Sequence, residues 1–304
     1  MTHQHGAPRY DRAFAIGVAL NLIFVILEAA FGVISHSLAL LADSGHNLSD
    51  VAGLLLAWGA SVLARRAPTA RRTYGWRGSS ILAALFNAVL LLIAVGAIAW
   101  EAIRRFERPM PVASGTVIWV AAVGIAINGA TAMLFFAGRK RDLNIRGAFL
   151  HMAADTAVSV GVVIAGVVIA RTGWSWVDPV TSLAIVTVIT VGTWSLLRES
   201  VNLALHAVPE GIDPQTVHDY LAGMPGVAAV HDLHIWPMST TEVALTGHIV
   251  KPELANDDAL LTRISQDLHD RFGIEHATLQ VERDASHFCS LSSDIPPNPT
   301  SASG

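Results

Sequence analysis

Asp43, His46, Asn47 and Asp50 stand together in one apolar stretch, Leu38 to Leu56. Their spacing is i, i+3, i+4 and i+7, which on a helix gathers all four on one face. An Asp at a bilayer centre costs about 2.5–3.5 kcal/mol on insertion scales, so a buried one needs a partner or a function. Far along the chain His151 and Asp155 repeat the His-x-x-x-Asp spacing inside a second apolar run. On a helix such a pair lies about 5–6 Å apart, close enough to chelate one ion. Two imidazoles and two carboxylates, a pair from each helix, are a ligand set for tetrahedral Zn²⁺. Structural hydrogen bonds or a metal-free proton relay are the bland alternative. The recurrence of the pair in two apolar runs favours the metal. Asp43, one turn before the first pair, is expected either to support the ligands from behind or to serve as a polar residue at a helix end.

The elements that position these residues follow from composition. The chain has 304 residues, 52% hydrophobic and 14% charged, against about 25% charged in a soluble domain. The deficit is concentrated in residues 12–200, while 207–284 has the composition of an ordinary soluble domain. A net charge of -4 argues against nucleic acid as a partner. Cys289 is the only cysteine, which excludes an intramolecular disulfide and a Cys-based zinc finger. The N-terminal residues lack a cleavable signal pattern, and the first apolar run is long enough to stay as an anchor.

Six spans are expected, at 12–34, 38–63, 79–103, 113–137, 147–171 and 178–199, each near the ~20 residues a bilayer requires. Arg65, Arg66, Arg71, Arg72 and Arg77 lie between the second and third, and Arg139, Lys140, Arg141 and Arg146 between the fourth and fifth. The loop between the third and fourth holds Arg104, Arg105 and Arg108, offset by Glu101 and Glu107. The positive-inside rule then places both termini in the cytoplasm, in a multi-pass protein of the cell (inner) membrane. Trp100, Trp119, Trp174 and Trp176 would mark the outer interface. Asn21 and Glu28 share a face of the first span, with either interhelical hydrogen bonding or a role beside the metal open to Glu28. Hydrogen bonding is the simpler role for Asn21 and Asn128. Gly53, Gly124, Gly129, Gly161 and Gly166 are expected to permit close helix approach or flexing.

In the soluble part Asp213-Pro214 opens a helix, with Asp as cap and Pro in the first turn. Strands are expected at Val227–Trp236 and Glu242–Lys251, a second helix at Asp257–Phe272 and a last strand at Ala277–Glu282. The order αββαβ predicts a small α+β domain, one sheet backed by two helices. The expected organisation is a cytoplasmic tail at 1–11, a six-helix membrane domain at 12–200, a cytoplasmic domain at 207–284 and a disordered tail at 285–304. His231 and His234, three apart in one strand, should point to opposite faces and so not share an ion. His3 and His5 are read as part of a tail with no role.

Metal binding needs the neutral imidazole, so protons and metal compete for such a site, near the ~6.5 of free His. A site that holds either Zn²⁺ or protons and opens to alternate sides of a membrane is a cation/proton antiporter. No G-x-x-x-x-G-K-[ST] loop exists for nucleotide binding. Two rivals use the same residues. An intramembrane zinc hydrolase would need an open coordination position, which four protein ligands do not leave, and the chain lacks His-Glu-x-x-His. A membrane metal sensor would bind without flux.

NLIFVILEAAFG, SLALLADSGHNLSD, RRTYGWRGSSILAALFNA, DLNIRGAFLHMAAD, WVDPVTSLAI and VHDLHIWPMST together resemble the zinc-transporter branch of the cation diffusion facilitator family. The resemblance runs over about residues 10–283. It implies a homodimer with six helices per protomer and a cytoplasmic metallochaperone-like, ferredoxin-like domain. It also implies export of Zn²⁺ coupled to proton uptake. It places the transport ligands at His46, Asp50, His151 and Asp155, a cytoplasmic metal site at His231, His248 and Glu282, and a second at His234 and His276. Ser80 stands where the family usually has an acidic residue. The loop before it has no His or Asp, so no loop zinc site is expected. Imidazole ligands suit Zn²⁺, with Cd²⁺ and Co²⁺ close behind.

Overall fold

The computed structural model of the chain describes residues 11–64, 66–136, 143–253 and 257–284. The expected tails, with His3, His5 and Cys289, lie outside the described residues. Six long helices follow the six apolar runs: α1 (Asp11–Ile34), α2 (Leu38–Ala64), α3 (Ser79–Glu107), α4 (Ser114–Phe136), α5 (Leu143–Thr172) and α6 (Val177–Ala204). Among the described residues, Ser79–Glu107, Ser114–Met133, Met152–Thr172 and Val177–Ala204 are each long and apolar enough to cross a membrane, and α1 adds the apolar stretch Leu22–Ile34. Helix α3 outruns its apolar run. Arg105 Nε stands 3.5 Å from Glu101 Oε1 one turn earlier, a pairing that supports the added turn. Arg104 and Arg105, expected in a loop, are therefore helical, and Arg105 is buried.

The chain divides into two compact units, residues 1–55 with 86–196, and residues 56–85 with 197–304. The core of the first joins Leu40 of α2, Val95 of α3, Val117 and Ala121 of α4, Val162 of α5 and Ile185 of α6. Small residues bring the helices close. A Cβ at Gly124 would stand 3.1 Å from Phe24 Cζ on α1 and 3.3 Å from Ser159 Oγ on α5, and one at Gly166 would meet Ile118 Cγ1 at 2.8 Å. Gly161 is different, since nothing lies within 4 Å of its added Cβ. Trp100, Trp119, Trp174 and Trp176 are all exposed on the protein surface.

The second unit holds the α+β domain. Asp213 caps α7 (Pro214–Ala222), accepting from Gln215 N at 3.1 Å, with Pro214 in the first turn. Strands β1 (Ala229–Pro237) and β2 (Val243–Val250) pair antiparallel. Helix α8 (Asp257–Phe272) then crosses over to β3 (His276–Glu282), which pairs with β2 in parallel. The sheet order is β1-β2-β3. Leu245 and Ile249 turn inward onto Val217 and Leu221 of α7 and Ile264 and Leu268 of α8, leaving the alternate residues of each strand on the other face.

In the same unit, the connection between α2 and α3 is tied to the β1–β2 turn. Arg77 forms an ion pair with Glu242. Ser80 Oγ donates to the Arg77 carbonyl at 3.1 Å and accepts from Thr240 N at 3.0 Å. Ser80 thus makes a pairing role at this position without a charge.

Candidate metal centres

Helix α2 delivers His46 and Asp50 one turn apart, and α5 delivers Asp155 against them. His46 Nε2 stands 3.2 Å from Asp155 Oδ1 and 3.7 Å from Asp50 Oδ2. The three offer one ligand atom each, all within 4.8 Å of one another. Asp155 is buried, while His46 and Asp50 keep part of their surface. His151 lies on α5 one turn before Asp155; its side chain is outside the described residues. A single nitrogen, His46 Nε2, faces both carboxylates. That nitrogen either carries a proton or coordinates a cation, never both.

Three neighbours hold α2 in this register. From α1, Glu28 Oε2 accepts from Asn47 Nδ2 at 3.1 Å. From α3, Asn87 Nδ2 donates to Ser49 Oγ at 3.2 Å. From α5, Ser159 Oγ donates to Asp43 Oδ2 at 3.1 Å, one turn beyond the His46–Asp155 contact. Asp43 and Glu28 are both fully buried. Asp43 stands inside α2 rather than at its end, behind the His46–Asp155 contact. The side chain of Asn21 is outside the described residues.

The N-terminus of α2 is capped twice. Ser37 Oγ accepts from Leu40 N at 3.3 Å and donates to Asp178 Oδ1 at 2.6 Å. Asp178, in the first turn of α6, also accepts from Leu38 N at 2.8 Å. Arg105 reaches the same carboxylate at 3.5 Å and donates to the His36 carbonyl. A carboxylate at a helix N-terminus meets both the unpaired N–H groups and the positive end of the macrodipole. Sequence reasoning missed Ser37, Asp178 and Arg105 as site supports. The usable signals were a Ser directly before an apolar helix and an Asp-Pro pair opening another.

In the soluble domain, His231 of β1 faces His248 of β2 across the ladder, their ring centroids 5.1 Å apart. Glu282 of β3 meets both, with His231 Nε2 at 3.0 Å and His248 Nδ1 at 2.9 Å. These three also place ligand atoms within 4.8 Å of one another. Burial alone would raise the Glu282 carboxyl. The hydrogen bond from His231 and the charges of His231 and His248 outweigh it and hold the group below its ordinary value.

The geometry corrects one expectation about this strand. A bulge falls between His231 and His234, and Asp232 within it adopts φ 52°. The extra residue shifts the alternation, so His231 pairs with His248 and His234 with Thr246, two residues of β2 that share a face. His231 and His234 therefore share a face rather than opposing each other. Asp232, also missed, reaches 3.0 Å from His234 Nε2 and 3.8 Å from His248 Nε2. His234 and His276 lie on different strands, each with its own neighbour. They occupy the outer strands with β2 between them, His234 opposite Thr246 and His276 opposite Ala244. By strand spacing and rise their Cα atoms stand roughly 10 Å or more apart. His276 instead packs its ring edgewise on Tyr74 at 5.7 Å.

Apolar helices carrying a carboxylate–imidazole cluster, joined to a small domain with a second such cluster, define a membrane protein that handles metal cations. The family model for the cation efflux transmembrane domain matches residues 14–203, and that for the cation efflux protein cytoplasmic domain matches 209–284. The chain belongs to this family, the cation diffusion facilitators, whose members are cation efflux transporters rather than enzymes. It is 36% identical to the metal cation efflux system protein CzcD of Cupriavidus metallidurans over 282 residues, 92% of this chain and 89% of that one. It is 38% identical to the zinc transporter ZitB of Escherichia coli over 276 residues, 90% and 87% of the two chains. Identity to a cadmium, cobalt and zinc/H(+)-K(+) antiporter of Bacillus subtilis is 32% over 290 residues, 94% and 93%.

Proposed function

We propose that this protein exports Zn²⁺ from the cytoplasm in exchange for protons, by alternating access, as a homodimer in the cell membrane. The observation that carries the reading is His46 Nε2 placed against both Asp155 and Asp50. With His151 as the fourth ligand, the set is two imidazoles and two carboxylates, suited to Zn²⁺ and to Cd²⁺ or Co²⁺ as neighbours in ligand preference. The names of the relatives, for zinc and for cadmium, cobalt and zinc, support the same range. One imidazole nitrogen shared by cation and proton makes the two mutually exclusive, and that exclusion is coupling. The arginines between α2 and α3 and between α4 and α5 support cytoplasmic termini. The cluster of His231, His248 and Glu282 is assigned to a regulatory ion.

Flux into proteoliposomes tests this. Zn²⁺ uptake should rise when the lumen is acidic, and a protonophore should remove that rise. Uptake indifferent to the pH gradient, at fixed Zn²⁺ gradient and clamped membrane potential, would mean a uniporter.

A further inference from the structure

Behind the proposed metal cluster lies a second pair of acids that metal coordination does not use. Glu28 of α1 and Asp43 of α2 both have 0% exposure. Each spends one oxygen on a neutral donor: Glu28 Oε2 takes Asn47 Nδ2 and Asp43 Oδ2 takes Ser159 Oγ, both at 3.1 Å. The remaining oxygens, Glu28 Oε1 and Asp43 Oδ1, are buried and meet no donor among the described residues. Asn47, the donor to Glu28, stands one turn beyond Asp43 on the same face of α2, which puts Glu28 beside Asp43. Among the described residues no arginine or lysine pairs with either. Among the described residues, the titratable groups around them are His46 on α2 and Asp155 on α5.

Two ionised carboxylates in this setting would repel at close range and leave two acceptors unsatisfied. Each buried, uncompensated charge costs several kcal/mol. One proton between them removes a charge and supplies the missing donor together, as in paired-carboxylate sites generally. We infer that Glu28 carries a proton donated to Asp43, a proton site separate from the metal ligands and one helical turn behind His46. When a divalent cation occupies the neighbouring cluster, its charge favours two carboxylates over one, and the proton leaves from Glu28. Glu28 thus supplies one of the exchanged protons. This inference rests on the proton-exchange reading above and deepens it.

The test is Zn²⁺-triggered proton release from the full-length protein in weakly buffered detergent, read with a pH indicator and normalised to Zn²⁺ bound. Glu28→Gln keeps the shape, donates an amide N–H to Asp43 and still accepts from Asn47, so it mimics the protonated acid permanently. The variant should bind Zn²⁺ and release about one proton fewer per chain than the wild type. Equal release from both proteins would overturn the Glu28 site and leave proton exchange standing. If the wild type shows neither release nor flux driven by a pH gradient, proton exchange fails and the inference falls with it. Should Glu28→Gln not fold, infrared difference spectra of the wild type decide the matter. Zn²⁺ should remove a carboxylic-acid C=O band that Asp43→Asn shifts; no loss of such a band would overturn the proposal.

Discussion

Asp178 accepts the Ser37 hydroxyl at 2.6 Å and the Leu38 N–H at 2.8 Å, so a carboxylate on α6 caps the helix that carries His46 and Asp50. The start of α2 is thereby fixed to another helix, and the same carboxylate holds the buried Arg105. The cluster of His46, Asp50 and Asp155 inherits its register from this anchor two turns away.

Asp178→Ala should therefore destabilise the protein by roughly 3 kcal/mol, the scale for breaking a buried ion pair, with a helix cap lost as well. Thermal unfolding in detergent measures it. Because Arg105 is left without its carboxylate, Asp178→Ala with Arg105→Ala should cost less than the two single changes added together. Additive losses would show that the two residues do not act as a pair.

Asp155→Ala and Asp50→Ala should each abolish Zn²⁺ flux while the protein still folds. The loss should exceed the roughly 10–100-fold expected when only an outer partner of a ligand is removed. Ser159→Ala, which strips the donor from Asp43, belongs to that milder class. Proteoliposome flux beside an unchanged elution volume checks all three.

Changing His46→Asp keeps the spacing but makes the set three carboxylates and one imidazole, with more negative charge and one fewer group titrating near neutrality. Competitive flux should shift from Zn²⁺ toward Cd²⁺ or Mn²⁺, and the pH dependence between about 6 and 8 should flatten. An active variant with wild-type metal ratios and pH profile would remove His46 from selectivity.

The cluster of His231, His248 and Glu282 has a different pH signature. Glu282 is held below its ordinary value, so it is ionised throughout the neutral range. Its contribution to stability is present above the ordinary carboxylate value of ~4.3 and is lost as pH falls through its own lower value. Zn²⁺ binding at this cluster should weaken as pH drops, because protons compete with the cation for the imidazole nitrogens while Glu282 stays ionised. Calorimetry on full-length Asp155→Ala isolates this site, and His248→Ala should remove its heat.

Much of this was legible in the residues, and what was not has physical reasons. Long apolar runs announce membrane helices because few other structures bury so much apolar surface, and His-x-x-x-Asp is a helical spacing that survives folding unchanged. Helix ends were less legible: Glu101 and Arg105 extend α3 by a local pairing that hydropathy does not register. The bulge at Asp232 was invisible because alternation assumes a regular strand, and one extra residue reverses the facing of everything beyond it. The cap of α2 by Asp178 joins residues far apart in sequence, whose meeting only the packed bundle reveals.

Mutual exclusion of cation and proton at His46 is open to a counterflow experiment. Proteoliposomes holding a trapped pH dye receive external Zn²⁺ with no imposed pH gradient and the membrane potential clamped. Inward Zn²⁺ should drive protons outward and turn the lumen alkaline, with no change for Asp155→Ala. Zn²⁺ accumulation with a lumen of constant pH would contradict it.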